Sequence, residues 1–242
     1  MAIEVAMKPA ATFVPVPASG PLTPVASKLG GLPFTPLYTD WPSAMIANGT
    51  KKRPMAFVGQ FNFAEIVEAV PELVGVVPSQ GLLQLFYDVE EFPWGIYPHD
   101  FNHIRINWFP DLEEYRHEPM AALVDSFPVK EFGLKFTYRP SFPEPYELDI
   151  PEEVESVYWE TFIYDSHHQI AGYPSAIQDD PLDGFEQLNP SDGAAWQLLL
   201  QIDSDEVMGL NWGDSGSIYL CIAADSLPTA DLSQSRLTLQ CM

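Results

Sequence analysis

The sharpest local chemical signal in the chain is the run Trp212-Gly213-Asp214-Ser215-Gly216. Its glycines admit tight or left-handed turns, Asp214 can accept from backbone donors, and Trp212 offers a flat ring with one N–H. A tryptophan and a carboxylate on one turn suit a sugar or a peptide. The same five residues also suit a β-turn whose tryptophan fills the core. Gln60 and Gln201 each interrupt an apolar strand, so each amide either faces solvent or, if buried, must find partners. Lining a common cleft and serving adjacent backbone are the two roles open to them. A carboxylate hydrolase needs two acids held together, and Asp203 with Asp214 is a pair the sequence offers.

Other chemistry is poorly supplied. His99 and His103 are four apart, but Pro98-His99-Asp100-Phe101-Asn102 reads as a turn, and no HExxH pattern is present. His167 and His168 are adjacent and would point to opposite faces of an extended strand. The acidic stretch Asp179, Asp180, Asp183, Glu186 and Asp192 around Gly184 lacks the alternate-position ligands and closing glutamate of an EF-hand. There is no Gly-x-Ser-x-Gly elbow, Walker lysine, Rossmann glycine set or CxxC pair. We therefore expect no metal, no cofactor and, on balance, no enzyme.

Charge narrows the partners. The 242 residues carry 34 acidic and 11 basic side chains, a formal net charge of −23. Residues 140–242 hold 19 of the acids and a single base, Arg236. Such a field repels phosphate backbones and anionic lipid and attracts cationic partners, so the expectation is a basic protein or a small molecule, with no nucleic acid and no membrane. Cys221 and Cys241 sit in apolar strand contexts as free thiols of a reducing compartment. No apolar run approaches the roughly 20 residues of a spanning helix, and the first residues lack a signal-peptide pattern, so the expected location is the cytoplasm.

These residues have to be positioned by strands. Ala56–Phe63, Leu82–Val89, Ile104–Phe109, Ser156–Tyr164, Ala195–Asp203, Ser217–Ala223 and Arg236–Cys241 are rich in β-branched, aromatic or leucine residues and end at Gly, Pro or Asp. Helices are few: Ala64–Ala69 after a capping Asn62, and a stretch around Leu112–Val124 broken by Pro119. Residues 1–27 form a proline-rich arm, extended or partly ordered. Residues 110–151, crowded with prolines, read as loops and edge strands. An internal similarity links Phe57-Val58-Gly59-Gln60-Phe61-Asn62 to Leu198-Leu199-Leu200-Gln201-Ile202-Asp203, each followed by a glycine and a second strand. This predicts two related β units, over about 54–90 and 194–226, packed in one domain spanning 28–242. The fold class expected is α+β, dominated by antiparallel sheet with few short helices.

Several motifs in order resemble the YwqG-like family of mostly bacterial proteins. They are Lys28-Leu29-Gly30-Gly31-Leu32-Pro33, Trp41-Pro42, Phe57 to Asn62, Gly81-Leu82-Leu83, Ala171-Gly172-Tyr173-Pro174 with Gln178, Trp196 to Gln201, Trp212 to Gly216, and Leu237 to Cys241. The resemblance implies a single α+β unit of mainly antiparallel sheet and supplies no catalytic set. Some relatives are thought to lie near toxin genes, which implies an immunity or inhibitor role. Three readings follow. The first is an acidic, non-enzymatic protein that binds a basic partner such as a toxin. The second is a small-ligand or carbohydrate binder using a cleft between the two units. The third is a carboxylate hydrolase. The residues expected to touch a ligand or partner are Trp212, Asp214, Gln60, Gln201, Asp203 and Gln178.

Overall fold

Short apolar runs punctuated by Gly, Pro and Asp give many short strands, and their alternation puts one face inward. The computed structural model of the chain describes residues 6–18, 20–47, 49–148, 150–163, 167–183, 185, 195–224 and 231–242. Twelve strands occur among them: β1 (Ala11–Pro17), β2 (Lys28–Leu29), β3 (Ser43–Ile46), β4 (Lys51–Pro54), β5 (Ala56–Asn62), β6 (Leu82–Tyr87), β7 (Ile104–Phe109), β8 (Phe132–Tyr138), β9 (Gln169–Ile170), β10 (Trp196–Asp203), β11 (Ser217–Ala223) and β12 (Arg236–Gln240). Two α-helices are described, α1 (Phe63–Ala69) and α2 (Glu152–Phe162). Ten strands form one antiparallel sheet in the order β12-β11-β10-β9-β1-β8-β2-β5-β6-β7, and β3-β4 is a separate ribbon. The fold is thus α+β and dominated by antiparallel sheet.

The sheet's two halves match strand for strand about the central β1-β8 pair. In β5-β6 the register shifts between Phe57 and Gly59, and in β10-β11 it shifts between Leu198 and Leu200. A bulge in the same place of both hairpins bends each ribbon, which helps a wide sheet curl. The two-residue strands match as well. Lys28 pairs with Gln60 and Leu29 with Gly59, as Gln169 pairs with Gln201 and Ile170 with Leu200. Each is followed by a left-handed pair, Gly30-Gly31 and Ala171-Gly172. At Gly172 a Cβ would lie 2.6 Å from that of Ser141, so the backbone there needs both the positive φ and the missing side chain. At the centre, β1 hydrogen-bonds to β9 and β8 to β2, so the strand that opens each half of the chain is inserted beside the other half's strands.

Curling nearly closes the sheet into a barrel. Trp94, in the loop after β6, accepts from Leu239 N–H at 2.9 Å and from the Thr238 hydroxyl at 3.2 Å, and the turn at Leu232–Gln234 packs against β7. Inward side chains of all the long strands form one apolar core. Helix α1 contributes Ile66 at one end, beside the start of β6. The 204–216 loop contributes Met208, Leu210 and Trp212, and Trp212 meets Tyr87, the last residue of β6, at the other end. Asn62 caps α1 as its sequence predicts, its side chain accepting from Ala64 N–H at 3.1 Å.

Several expectations need correction. Ser156–Tyr164 is not a strand: residues up to Phe162 belong to α2, while Tyr164 lies outside the described residues. Glu152, Glu153 and Glu155 favour a helix N-terminus, and Tyr158 and Phe162, four apart, pack ring against ring on one face, a helical rather than a two-residue period. Leu112–Val124 forms only a 3-10 turn at Leu112–Glu114. Strand β8, inside the proline-crowded middle, is not an edge but lies between β1 and β2. Nor is the arm only a leader, because it contains β1. Phe13 N–H points to the β9 side, where it donates to His168, and Pro15 and Pro17 share that orientation where β9 has ended. A residue without an N–H is therefore tolerated at both positions.

Candidate functional site

Of the six residues singled out by sequence, Gln201 and Asp203 meet in a hydrogen bond, but the six do not form one site. Gln60 and Gln201 are both fully buried, and each serves the backbone of its own half. Gln60 Oε1 accepts from Phe34 N–H at 2.8 Å, while its Nε2 donates to the carbonyls of Pro24 and Ala26. Gln201 Oε1 accepts from Ser175 N–H at 2.9 Å, and its Nε2 donates to Asp203 Oδ1. The matched loops are thus held by matched amides, down to the Phe34 carbonyl receiving Gln84 and the Ser175 carbonyl receiving the Tyr219 hydroxyl. Trp212 is 0 % exposed, and Tyr87, Phe92 and Phe127 pack around its ring, so its stacking face is taken. Asp203 is buried and accepts from Ser217 Oγ, whereas Asp214 is exposed on its turn. An open cleft shared by Trp212 and the two glutamines is not formed among the described residues.

Gln178 lines an open concavity, and the geometry around it defines the candidate site. An acidic groove of about 800 Å³ runs between the turn at Pro145–Glu147 and the loop after β9, lined by Glu144, Tyr146, Glu147, Gln178, Asp179, Asp180 and Asp183. A recess of about 130 Å³ shares Glu144, Tyr146, Glu147 and Asp180 and adds Lys8, Tyr173 and Leu182. Gly184, Glu186 and Asp192 of the same acidic stretch lie outside the described residues.

Local chemistry fixes these walls. Glu144 N–H donates to Glu147 Oε1 at 3.2 Å, closing the turn. On the facing loop, Gln169 Nε2 donates to the carbonyls of Ala171 and Tyr173, and Ser141 Oγ accepts from Tyr173 N–H at 2.8 Å. Further on, Gln240 accepts from Ile177 N–H and donates to the Asp179 carbonyl at 2.7 Å, while Gln178 donates to the Cys241 carbonyl. The carboxylates are therefore carried on backbone tied at several points to the barrel.

The groove is crowded with negative charge. Burial, then Glu147 and Asp180, pushes the Glu144 carboxyl above its ordinary value. Burial and neighbouring carboxylates likewise raise the phenols of Tyr146 and Tyr173. One cation lies in the adjoining recess: the Lys8 ammonium sits 3.9 Å above the centre of the Tyr173 ring. Burial lowers its pKa, against the pull of Glu147 and Asp180. Sequence reasoning missed Lys8, Glu144, Tyr146, Glu147 and Tyr173. The run Glu144-Pro145-Tyr146-Glu147 carries the local composition, but nothing in its spacing shows that it faces residues 173–183.

Two further titratable clusters are structural ties. Asp88 accepts from Arg53 Nε and Nη2 and lies 2.7 Å from His103 Nδ1, anchoring β4 to the end of β6. His168 stacks on Phe13 and sits between Asp203 and Asp205. Among the described residues no three His, Cys, Asp or Glu side chains are placed to hold a metal ion, and no helix is long and apolar enough to cross a membrane.

Against known proteins, no curated protein matches the chain. A family model does, over residues 27–241, from the end of the arm to the penultimate residue and across both halves of the sheet. The chain belongs to the family described as the domain of unknown function DUF1963.

Proposed function

We propose that this chain is a YwqG-like, non-catalytic acidic binding protein of the cytoplasm. Its groove takes a cationic side chain of a basic partner protein. One observation carries the reading: in the recess that shares Glu144, Tyr146, Glu147 and Asp180 with the groove, Lys8 already rests on the Tyr173 ring, so this wall suits an alkylammonium or guanidinium group. The carboxylates supply the charge complement, and Tyr146, mostly exposed, supplies a second aromatic face. A basic toxin, neutralised by occlusion, is the partner that the family resemblance suggests.

The test uses an amidated tetra-arginine peptide as the probe. The triple variant Glu144→Gln, Glu147→Gln, Asp180→Asn is compared with a control that removes the same charge from α2, Glu152→Gln, Glu153→Gln, Glu155→Gln. Removing the three groove charges should weaken binding about tenfold, because exposed charge pairs are worth about 0.5 kcal/mol each and three together come to about 1.4 kcal/mol, while the control changes it far less. Equal loss in both variants would mean that only the general field attracts the peptide and that the groove is not the site.

A further inference from the structure

The near-closure of the barrel leaves a seam between β7 and β12, and a groove of about 320 Å³ lies there, lined among others by Phe101, Ile104, Arg105, Ser235, Arg236 and Leu237. Among the described residues its walls carry no carboxylate, in a chain with 34 acidic residues. They do carry two of the chain's 11 basic side chains, and neither forms an ion pair among the described residues, unlike Lys28 with Glu131 or Arg53 with Asp88.

The two arginines hold matched positions. Arg105 pairs across the sheet with Phe86, and Arg236 with Cys221, while Phe86 and Cys221 occupy equivalent places in their hairpins next to the matched bulges. The near-symmetry of the two halves therefore delivers one guanidinium from each side of the seam. Arg236 is held in place: its Nη1 donates to the carbonyls of Gln234 and Ser235, and its guanidinium lies 5.3 Å from the centre of the Phe101 ring. A second observation points to a missing partner. The hydroxyl of Ser235, a residue only 1 % exposed that lines the groove, has no hydrogen-bond partner among the described residues, and buried polar groups in native proteins are normally paired.

We propose that this seam is an anion site for the phosphate group of a small phosphomonoester. Two guanidiniums match a dianion with three peripheral oxygens better than a carboxylate, which one fork satisfies. The Ser235 hydroxyl lies next to Arg236 as a further donor. Phe101, Ile104 and Leu237 form an apolar wall for the ester's organic part, and the volume is that of a small-molecule pocket. The molecule's net charge of −23 opposes any polyanion, so a nucleic acid is not the source of the phosphate.

Titration with phenyl phosphate, followed by calorimetry, tests the assignment, with benzoate as the carboxylate arm. The expected result is saturable one-to-one binding that weakens about tenfold or more in R105Q and in R236Q, as for lost charge-assisted hydrogen bonds. Benzoate should bind at least about tenfold more weakly than phenyl phosphate. Absence of saturation, equal binding by wild type and both variants, or benzoate binding as well as phenyl phosphate would each overturn the proposal. Melting curves accompany the titrations. Should R236Q melt below wild type, R105Q decides the matter, since the Arg105 side chain is exposed and its loss leaves the core intact.

Discussion

His168 shows how one residue departs from the matched plan. In the first half of the chain the equivalent place belongs to Ser27, whose hydroxyl accepts from Asn62 N–H. In the second half, His168 Nδ1 accepts from Asp203 N–H at 3.1 Å, and Nε2 faces Asp205 Oδ2 at 3.3 Å. That arrangement requires the neutral ring with its proton on Nε2, because a proton on Nδ1 would confront the Asp203 N–H. Burial against Phe13 lowers its pKa below 6.5, outweighing Asp203 and Asp205, while His167 opposes a second charge. A base with a depressed folded pKa stays neutral while the unfolded chain takes up a proton. Its contribution is present above pH 6.5 and is lost as pH falls from there toward the folded value. Urea denaturation between about pH 7 and 5 should therefore show stability falling with pH, with a contribution from this group of at most about 1.4 kcal/mol per pH unit. In His168→Gln, which can accept from Asp203 and donate to Asp205 without titrating, the fall should be shallower by that amount. Parallel curves for the two proteins would assign the acid sensitivity elsewhere.

At the scale of elements, the exchanged position of β1 makes the arm structural. Strand β1 runs beside β8 over its whole length and beside β9 at Ala11 and Thr12, and it brings Phe13 into contact with Phe61 and Phe136. Deleting residues 1–18 would expose edges of β8 and β9 and remove Phe13, an aromatic whose loss alone costs about 3–5 kcal/mol. The truncated chain should lose its cooperative unfolding transition in circular dichroism. A truncation that melts like the full chain would return the arm to the status of a leader. Long strands such as β5, β7, β10 and β11 were legible because an apolar, β-branched run bounded by turn residues has few other readings. The capped helix α1 was legible for a similar reason, as Asn62 stops the strand and starts the helix. The arm and β8 were not legible, since prolines argue against a central strand until it is known which side their missing N–H faces. Helix α2 was misread because Val154, Val157, Tyr158 and Trp159 look β-prone, and the Phe142 ring that receives Phe162 is distant in sequence. The candidate site was the least legible part. Gln60, Gln201 and Trp212 stood out as exceptions to a pattern, yet a polar exception inside a strand is as well explained by a buried backbone partner as by a ligand, and here the partners exist.

For the whole molecule, the question is what a charge of −23 does to a fold held by apolar burial. The described ion pairs are few and local, such as Lys28 with Glu131 and Arg53 with Asp88, Glu90 and Glu91. Lys28 and Asp88 are buried, so Lys28 with Glu131 and Arg53 with Asp88 are little screened by salt, whereas the pairs with the exposed Glu90 and Glu91 are screened. Repulsion is long-ranged and exposed, especially across residues 140–242, where 19 acids face one base. Raising ionic strength from about 0.01 M to 0.15 M shortens the screening length from about 30 Å to about 8 Å. That change removes most of the repulsion between separate acidic loops and little of the attraction inside buried pairs. The melting temperature should therefore rise with salt, by about 2–4 °C for each kcal/mol of repulsion relieved in a chain of this size. Salt should at the same time weaken capture of the tetra-arginine peptide by the acidic groove, because that attraction is exposed. Stability and partner binding would then respond to ionic strength in opposite directions, as expected if the acidic surface is kept for association at a cost to the fold. A melting temperature that falls with added salt would show instead that ion pairs outweigh repulsion and that the excess charge is no burden on the folded state.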